Sequence, residues 1–376
     1  MIASVLLTAE EKEGSTFKVS VESIREIANH PNADRLELAT VLGWQTVVPK
    51  GQYKVGDLVV YIPIDSILPH EVESALFGPD SKVKLSKSRV KTIKLRGAIS
   101  QGMVATPAAL GFEYVYEGFD VTASLKITKY EPPVKDVPAG MSVRAVKALE
   151  NPNFRKYGGL ENAKNYPDVF TEGEEVYVTE KIHGTNFRAG YVPTVANTFW
   201  KKILKFFGRL PEYEFVYGSN NVQLQHKDSG GFYGFNVYKE AVESFRLKEI
   251  LKPNEVVYGE IYGGGIQKNY NYGLGENERK LVLFDLRQGD TYSDPVNFTH
   301  WCDERGLPRV PVLYKGPYNR EAIKALTLGN SVLEPKQKVR EGIVVKPLKE
   351  ERCYMGRKAL KFISDLYLLE DQSDFH

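Results

Sequence analysis

The stretch from Val176 to Tyr191, VYVTEKIHGTNFRAGY, constrains what this chain can fold into more than any other. The β-branched and aromatic residues at its start are typical of a strand, and Lys181 stands where that strand ends. Gly184 follows, where it would let a phosphate group approach the backbone closely. A lysine attacks as a nucleophile only in its neutral form, which burial, nearby cations or a bound metal favours. The alternative interpretation is an edge strand with a solvated lysine.

Four later segments have the same character, because each combines a strand-like apolar run with a charged or aromatic residue. Two lie in the middle of the chain, where VYGEIYG carries Glu260 and LVLFDL carries Phe284 and Asp285. Two lie near its end, where EGIVVK runs from Glu341 to Lys346 and KALKFIS runs from Lys358 to Ser364.

The string KIHGTN, Lys181 to Asn186, resembles the nucleotidyl-lysine motif of RNA ligases. These enzymes belong to the covalent nucleotidyltransferase superfamily, with DNA ligases and mRNA capping enzymes. DNA ligases usually carry Asp and then Arg where this chain has His183 and Asn186, and that departure points towards RNA. The four later segments resemble the remaining motifs of the family in the same order. The order of the chain as a whole resembles the RNA ligase 5 family, whose members repair nicked RNA.

The resemblance implies the chemistry of an ATP-dependent RNA ligase. Lys181 would attack the α-phosphorus of ATP and form a lysyl-AMP, with in-line geometry and charge neutralisation doing most of the catalytic work. The AMP would pass to a 5′-phosphate end, and a 3′-hydroxyl would then seal the strand. Glu341 would hold Mg²⁺ or Mn²⁺, with Glu260 and Asp285 as further metal ligands. Phe284 would stack on adenine, and Glu260 would also reach the ribose.

The phosphates need positive charge, which the resemblance assigns mainly to Lys361. The family's fifth motif has two lysines separated by one residue, but here Ala359 occupies the place of the partner of Lys361. The remaining residues that the resemblance places around the nucleotide and the moving phosphate are Glu180, His183, Asn186, Arg188, Lys346 and Lys358.

Strand parity restricts two of these assignments. Glu180 and Lys181 point to opposite faces of a straight strand, so Glu180 would meet the nucleotide only at the turn, near the base. Glu341 and Lys346 are also of opposite parity, and sharing one site would require a twist or bulge, for which Gly342 is a suitable position.

Residues 1–130 predict a small β-barrel, because short strands alternate with glycine, proline and asparagine turns and almost no helix is indicated. The strings HPNADRL, GDLVV and LRGAISQGM resemble OB-fold domains of the tRNA-binding type. Trp44 is expected to pack in the core of this domain rather than to offer a stacking platform. RNA contact is predicted for five basic residues, Lys82, Lys84, Arg89, Lys91 and Lys94, although an ordinary solvated strand edge has the same composition.

Length and composition set the frame for these domains. The 376 residues predict an α+β chain with an OB-fold barrel (1–130), a proline-rich linker (131–145) and a nucleotidyltransferase domain (146–376). The nucleotidyltransferase domain is expected to have ATP-grasp-like antiparallel sheets with flanking helices. The formal net charge is only +2, so an RNA surface must be a local patch. Two cysteines form no disulfide framework or zinc spacing.

We therefore expect an intracellular monomer that binds ATP, Mg²⁺ or Mn²⁺ and nicked duplex RNA. No secretion signal and no membrane partner are expected, because the sequence has no signal peptide or transmembrane run. WKKILKFFGRL, from Trp200 to Leu210, is expected to be a packed surface helix, with RNA or a membrane surface as alternatives. Two alternative functions remain, a GTP-using capping guanylyltransferase and a non-catalytic RNA-binding protein.

Overall fold

A computed structural model describes residues 17–78, 85–131, 150–196, 198–224, 236–267 and 270–370. The described residues form two compact units. One comprises residues 17–131, 161–170 and 362–370, and the other comprises residues 150–160 and 171–361. The sequence predicts a first domain that ends at residue 130, and it places both later stretches in the 146–376 domain. The two short later stretches that pack with the first unit have no distinguishing pattern in the sequence.

The first part of the chain is mainly β-structure. Its elements are β1 (Ser20–Asn29), β2 (Leu36–Val41), β3 (Trp44–Pro49), β4 (Leu58–Ile62), β5 (Ser66–Ile67), α1 (His70–Phe77), β6 (Ile93–Leu95), β7 (Ala98–Ser100), β8 (Met103–Ala105), β9 (Thr128–Lys129) and β10 (Glu161–Asn162). The sequence did not indicate α1, although Pro69 precedes it and Glu71 and Glu73 stand in its first turn, as helix starts favour.

The remainder alternates strands with short helices. Its elements are β11 (Glu175–Lys181), β12 (Thr185–Pro193), α2 (Phe199–Phe206), β13 (Tyr213–Gly218), β14 (Gln223–Leu224), α3 (Val237–Ser244), α4 (Leu247–Ile250), β15 (Glu255–Gly263), β16 (Arg279–Gln288), β17 (Thr291–Tyr292), α5 (Pro295–Glu304), β18 (Val312–Pro317), α6 (Arg320–Ala325), β19 (Gly342–Pro347), β20 (Arg352–Cys353), β21 (Gly356–Arg357), β22 (Leu360–Ile363) and α7 (Asp365–Leu368). None of the helices among the described residues is long and apolar enough to cross a membrane.

The long strand β1 organises the first unit, where the strand order is β3-β2-β1-β4-β8. Its first half, Ser20 to Ser23, pairs with β4, and its second half, from Ile24, pairs with β2, where the register shifts between Ile24 and Glu26. Such a bend lets one strand serve two sides of a barrel. Trp44 is 3% exposed and lies in the core, and its indole nitrogen donates to the side-chain oxygen of Asn165 at 2.6 Å.

Two antiparallel sheets build the second unit. One contains β22, β19, β11 and β18 in that order, and the other has the order β14-β13-β12-β15-β16-β17. Consecutive strands β11 and β12 therefore belong to different sheets, joined by the turn Ile182–Gly184. The helices α3, α4 and α5 pack against the second sheet, whose buried face includes Phe187 and Leu283. The helices α3 and α4 are separate elements, because Arg246 between them adopts a left-handed conformation with φ of 50°.

Candidate active site

Lys181 ends β11, and its side chain meets a carboxylate. The amine nitrogen lies 2.6 Å from the Oε1 atom of Glu341, and the lysine side chain is 27% exposed. Register explains the contact, because Lys181 pairs with Gly342 and Glu341 precedes the first residue of β19. The lysine is thus positioned by the sheet and remains accessible from one side.

This arrangement also shows how Glu341 and Lys346 can both lie on the same side of the sheet as Lys181 although they have opposite parity in the sequence. Glu341 lies outside β19, so the alternation of that strand does not apply to it. Lys346 is inside β19 and pairs with Tyr177, which shares a strand face with Lys181. The two lysines therefore lie on the same face, and no bulge at Gly342 is needed to bring Glu341 beside Lys181.

Glu180 points to the other face, as parity requires. Its Oε2 atom accepts hydrogen bonds from the backbone amides of Val332 and Leu333, at 2.8 and 3.3 Å, and the side chain is almost fully buried. Arg340 lies 4.0 Å away. These contacts hold the segment before β19 against β11, which differs from the nucleotide contact that the sequence predicts.

Glu260 contributes a second carboxylate from the other sheet. It pairs with Asn186 across β12 and β15, so both residues face the same side. Burial raises the pKa of Glu260 to about 8; the nearby Glu341 charge adds to the rise, while Lys181 and a backbone hydrogen bond from Gly184 oppose it. The carboxyl is therefore largely protonated at neutral pH until a cation compensates its charge.

Replacing Glu260 with glutamine is expected to change the pH dependence of stability. A carboxyl with an ordinary pKa of 4.5 when unfolded and about 8 when folded binds an extra proton in the folded state between these values. Wild-type stability is therefore fully supported below pH 4.5 and declines as the pH rises towards 8. Glutamine has no such proton, so Glu260→Gln should gain on the order of a few degrees in Tm relative to wild type at pH 8.5, but not at pH 5.

Differential scanning fluorimetry of the nucleotide-free protein at several pH values measures this difference. The matched control is Glu276→Gln, because Glu276 is exposed and loses little solvation on folding. Parallel pH profiles for Glu260→Gln and wild type would contradict the prediction.

The metal ligands expected here fit in part. The Oε2 atom of Glu341 is buried and has no hydrogen-bond partner, and the Glu260 carboxyl lies near enough to interact with it electrostatically. Two such oxygens suit Mg²⁺ or Mn²⁺. Within the described ranges, no group of three or more His, Cys, Asp or Glu side chains is placed to hold a metal. A cation here would therefore need water or phosphate oxygens as further ligands.

Asp285 lies in a buried ionic network that joins the two sheets. Its Oδ2 atom accepts from Lys346 at 2.8 Å, from Arg357 at 2.7 Å and from the Tyr157 hydroxyl at 2.8 Å. Burial alone would raise the pKa of Asp285, but Arg357 and Lys346 hold it below its ordinary value. A carboxylate neutralised by two cations is a poor metal ligand, so its surroundings differ from the predicted metal role.

Arg357 and Tyr157 are the residues of this network that the predicted site residues do not include. Arg357 also forms a two-point pair with Glu350, at 2.7 and 2.8 Å, and lies over the ring of Tyr292 at 3.8 Å. Tyr157 packs edge-on against the ring of Phe284, with centroids 4.9 Å apart. For Arg357 the signal in the sequence is its position directly before the fifth motif.

The other predicted residues occupy varied surroundings. The partly exposed Phe284 lies on β16. The buried His183 packs against the ring of Tyr270, and its backbone amide donates to the Tyr272 hydroxyl at 2.8 Å. The buried Oδ1 atom of Asn186 has no hydrogen-bond partner.

Arg188, Lys358 and Lys361 are the remaining cations of the predicted nucleotide site. Arg188 is buried and donates to the backbone carbonyls of Ser219 and Phe154, so it ties loops together beneath the site. Lys358 lies 2.7 Å from Glu174, and the partly buried Lys361 lies on β22.

The predicted RNA contacts in the first unit differ in accessibility. Arg89 is buried, pairs with Asp65 at 2.6 Å and lies 3.7 Å from the centroid of the Tyr130 ring, which leaves it no surface for a phosphate. Lys94 is exposed on β6, and Lys91 is partly exposed. Lys82 and Lys84 lie outside the described residues.

Comparisons with known proteins agree with this architecture. Residues 18–107 match an OB-fold domain, and residues 174–363 match the RNA ligase family. A Naegleria gruberi RNA ligase mutant with ATP and Mn is similar over 94% of this chain and 98% of its own, with 25% identity and a TM-score of 0.72. The Naegleria gruberi RNA ligase with PPi is similar over 93% and 97%, with 26% identity and a TM-score of 0.70. Since the matched family domain spans just over half of the sequence, the chain belongs to the RNA ligase family.

Proposed function

We propose that this chain is an ATP-dependent RNA ligase that joins a 3′-hydroxyl to a 5′-phosphate through a covalent lysyl-AMP. The contact between Lys181 and the buried Glu341, beside the second carboxylate of Glu260, carries the proposal. A protein that only bound RNA would not need an accessible lysine paired with a buried carboxylate. We also propose that the chain acts as a monomer.

Lys181 is the nucleophile of the first step. Its nitrogen attacks the α-phosphorus of ATP, a nitrogen–phosphorus bond forms, and the bond to pyrophosphate breaks. The amine nitrogen lies 2.6 Å from the carboxylate of Glu341, so Lys181 must lose its proton and leave this contact before it can attack. The strand pairing of Lys181 with Gly342 keeps the nitrogen in position throughout this change.

Glu341 and Glu260 would hold the divalent cation. Bound there, Mg²⁺ or Mn²⁺ supplies positive charge that neutralises the phosphate oxygens. Glu260 accepts a cation only after losing the proton that its raised pKa retains, so nucleotide loading should become easier as the pH approaches 8. The solved relatives support the choice of ligands, because their structures are described with ATP, AMP and Mn.

The base and the phosphates are assigned to neighbouring side chains. Phe284 is partly exposed and braced by Tyr157, so it offers a ring for adenine. We assign Lys361 to the phosphates, with Lys346 held beneath them by Asp285. His183 and Asn186 line the turn and strand that follow the nucleophile.

The two later steps act on RNA. The 5′-phosphate end takes AMP from Lys181, and the 3′-hydroxyl then attacks this activated end and releases AMP. We propose nicked duplex RNA as the substrate, with Lys91 and Lys94 of the first unit contacting the backbone.

Incubation with α-labelled ATP or GTP and either metal, followed by a denaturing gel and then by addition of nicked duplex RNA, tests this function. Label from ATP alone and a sealed RNA product are expected. Label from GTP would support a capping enzyme instead. The absence of label from both nucleotides, with either metal, would contradict the enzymatic function and leave RNA binding as the alternative.

A further inference from the structure

The helix α2 presents its apolar side to solvent. Hydrophobic residues occupy one continuous arc of the helix and its C-terminal residue, and all except the partly exposed Ile203 are exposed, with Trp200 at 72% and Phe206 at 85%. The arc consists of Phe199, Trp200, Ile203, Leu204, Phe206 and Phe207. A surface helix normally buries such an arc against its own domain. The sequence predicts that this helix packs its apolar side against the domain, but in the structure that side is exposed.

The polar side attaches α2 to the domain. Lys201 lies 2.5 Å from the Oε2 atom of Glu214 on β13, and the side chains of both are largely covered. Thr198 caps the first turn by accepting from the Lys201 amide at 3.3 Å. Because the helix is held by this side, its aromatic arc faces away from the protein.

The surroundings of the arc are basic. Between Thr194 and Pro211 the sequence contains four basic residues and no acidic residue. Lys202, Lys205 and Arg209 are exposed. Two copies meeting through this face would bring like charges together, which disfavours self-association.

We propose that α2 is an interfacial anchor that binds the surface of a bilayer containing anionic lipids. Helices that lie at the boundary between headgroups and acyl chains have a typical pattern. They carry tryptophan, phenylalanine and leucine on one side and lysine and arginine on the other. The exposed lysines and Arg209 would remain at the level of the anionic headgroups. This inference revises the expectation of no membrane partner, because exposure of the arc is visible only in the structure.

RNA shares the negative charge but fits the surface less well. Single-stranded nucleic acid binds basic grooves whose aromatic faces stack on bases. Here the rings pair edge-on with each other, Phe199 with Trp200 at 5.9 Å and Phe206 with Phe207 at 5.2 Å. The aliphatic Ile203 and Leu204 lie between these pairs and give bases nothing to stack on.

Tryptophan fluorescence and vesicle sedimentation test the proposal on the full chain. Trp200 is the exposed tryptophan, since Trp44 and Trp301 are buried. Vesicles of phosphatidylcholine with phosphatidylserine should shift the emission to shorter wavelength and sediment the protein, whereas phosphatidylcholine alone should do so weakly. Trp200→Phe should lose the spectral shift but still sediment.

Two sets of variants separate the apolar and the electrostatic contributions. Phe206→Ser with Phe207→Ser should weaken sedimentation by on the order of tenfold or more, because two rings no longer enter the lipid. Lys202→Glu with Lys205→Glu should weaken it on the order of tenfold, and only on anionic vesicles. Tyr114→Ser, which removes another exposed ring, is the matched control and should behave as wild type.

Thermal melting and ATP labelling of the same variants check their integrity. Both are expected to match wild type, because the contacts of α2 among the described residues go to Thr198 and Glu214 and not to Lys181. Equal sedimentation with anionic and neutral vesicles, or wild-type sedimentation of the Phe206 and Phe207 variant, would overturn the proposal. Loss of RNA binding by that variant without loss of vesicle binding would assign the helix to RNA instead.

Discussion

Replacement of Lys181 with arginine is expected to abolish the covalent nucleotide adduct while leaving the fold intact. Arginine keeps a cation opposite the buried Glu341, so the carboxylate is not left without a partner. The guanidinium stays protonated and does not attack phosphorus. Intact-mass measurement after incubation with ATP and Mg²⁺ or Mn²⁺ should show one AMP increment on wild type and none on Lys181→Arg.

Two companion variants make this result specific. Lys181→Ala should also lose the adduct, and its Tm should fall because Glu341 then lacks its cation. Lys315→Arg changes an exposed lysine on the neighbouring strand β18 and should retain the adduct. An AMP increment on Lys181→Arg at the wild-type level would place the nucleophile elsewhere.

Replacement of Asp285 with asparagine is expected to cause the largest loss of stability. The change removes the negative charge shared by two cations, the buried Lys346 and Arg357, whose side chain is only 17% exposed. Breaking a buried ion pair by removing one partner costs about 3–5 kcal/mol. We expect a Tm decrease on the order of ten degrees.

Asp290→Asn is the control for this variant. Asp290 also contacts two arginines, Arg155 and Arg287, but its side chain is 83% exposed, so the loss should stay below about 1 kcal/mol. The lowered pKa of Asp285 means that its contribution is complete above pH 3.8, the ordinary value, and is lost as the pH falls through the folded value. Equal melting of the two variants at neutral pH would show that the buried network is not what stabilises the contact between the sheets.

The sequence places Lys181 and Glu341, which the structure brings into contact, in two motifs that are each local. Lys181 stands at a strand end and Glu341 at a strand start, so a short string carries each position. Arg357 was missed because its partner Asp285 is 72 residues earlier, and only the turn between β20 and β21 returns it to the site. Glu180 was assigned to the nucleotide by its motif, although its partners come from a segment about 150 residues away.

Helix boundaries and side-chain exposure also divide into features that local sequence predicts and features that depend on residues far apart in the chain. The strands β2, β3 and β4 follow from alternation and turn residues, which act over a few positions. The break at Arg246 has no glycine to announce it, and the burial of Arg89 depends on Asp65 and Tyr130. Basic composition alone therefore could not separate Arg89, inside the fold, from Lys94 on its surface.

Gly184 has a structural role in addition to the one expected from the sequence, which was to let phosphate approach the backbone. A Cβ atom at this position would lie 2.2 Å from the carbonyl oxygen of Ile261, the residue after Glu260. The absence of a side chain thus sets how closely the turn after Lys181 approaches β15, the strand that carries Glu260. Any larger residue at position 184 would push this turn away from β15 and so change the distance between Lys181 on one sheet and Glu260 on the other.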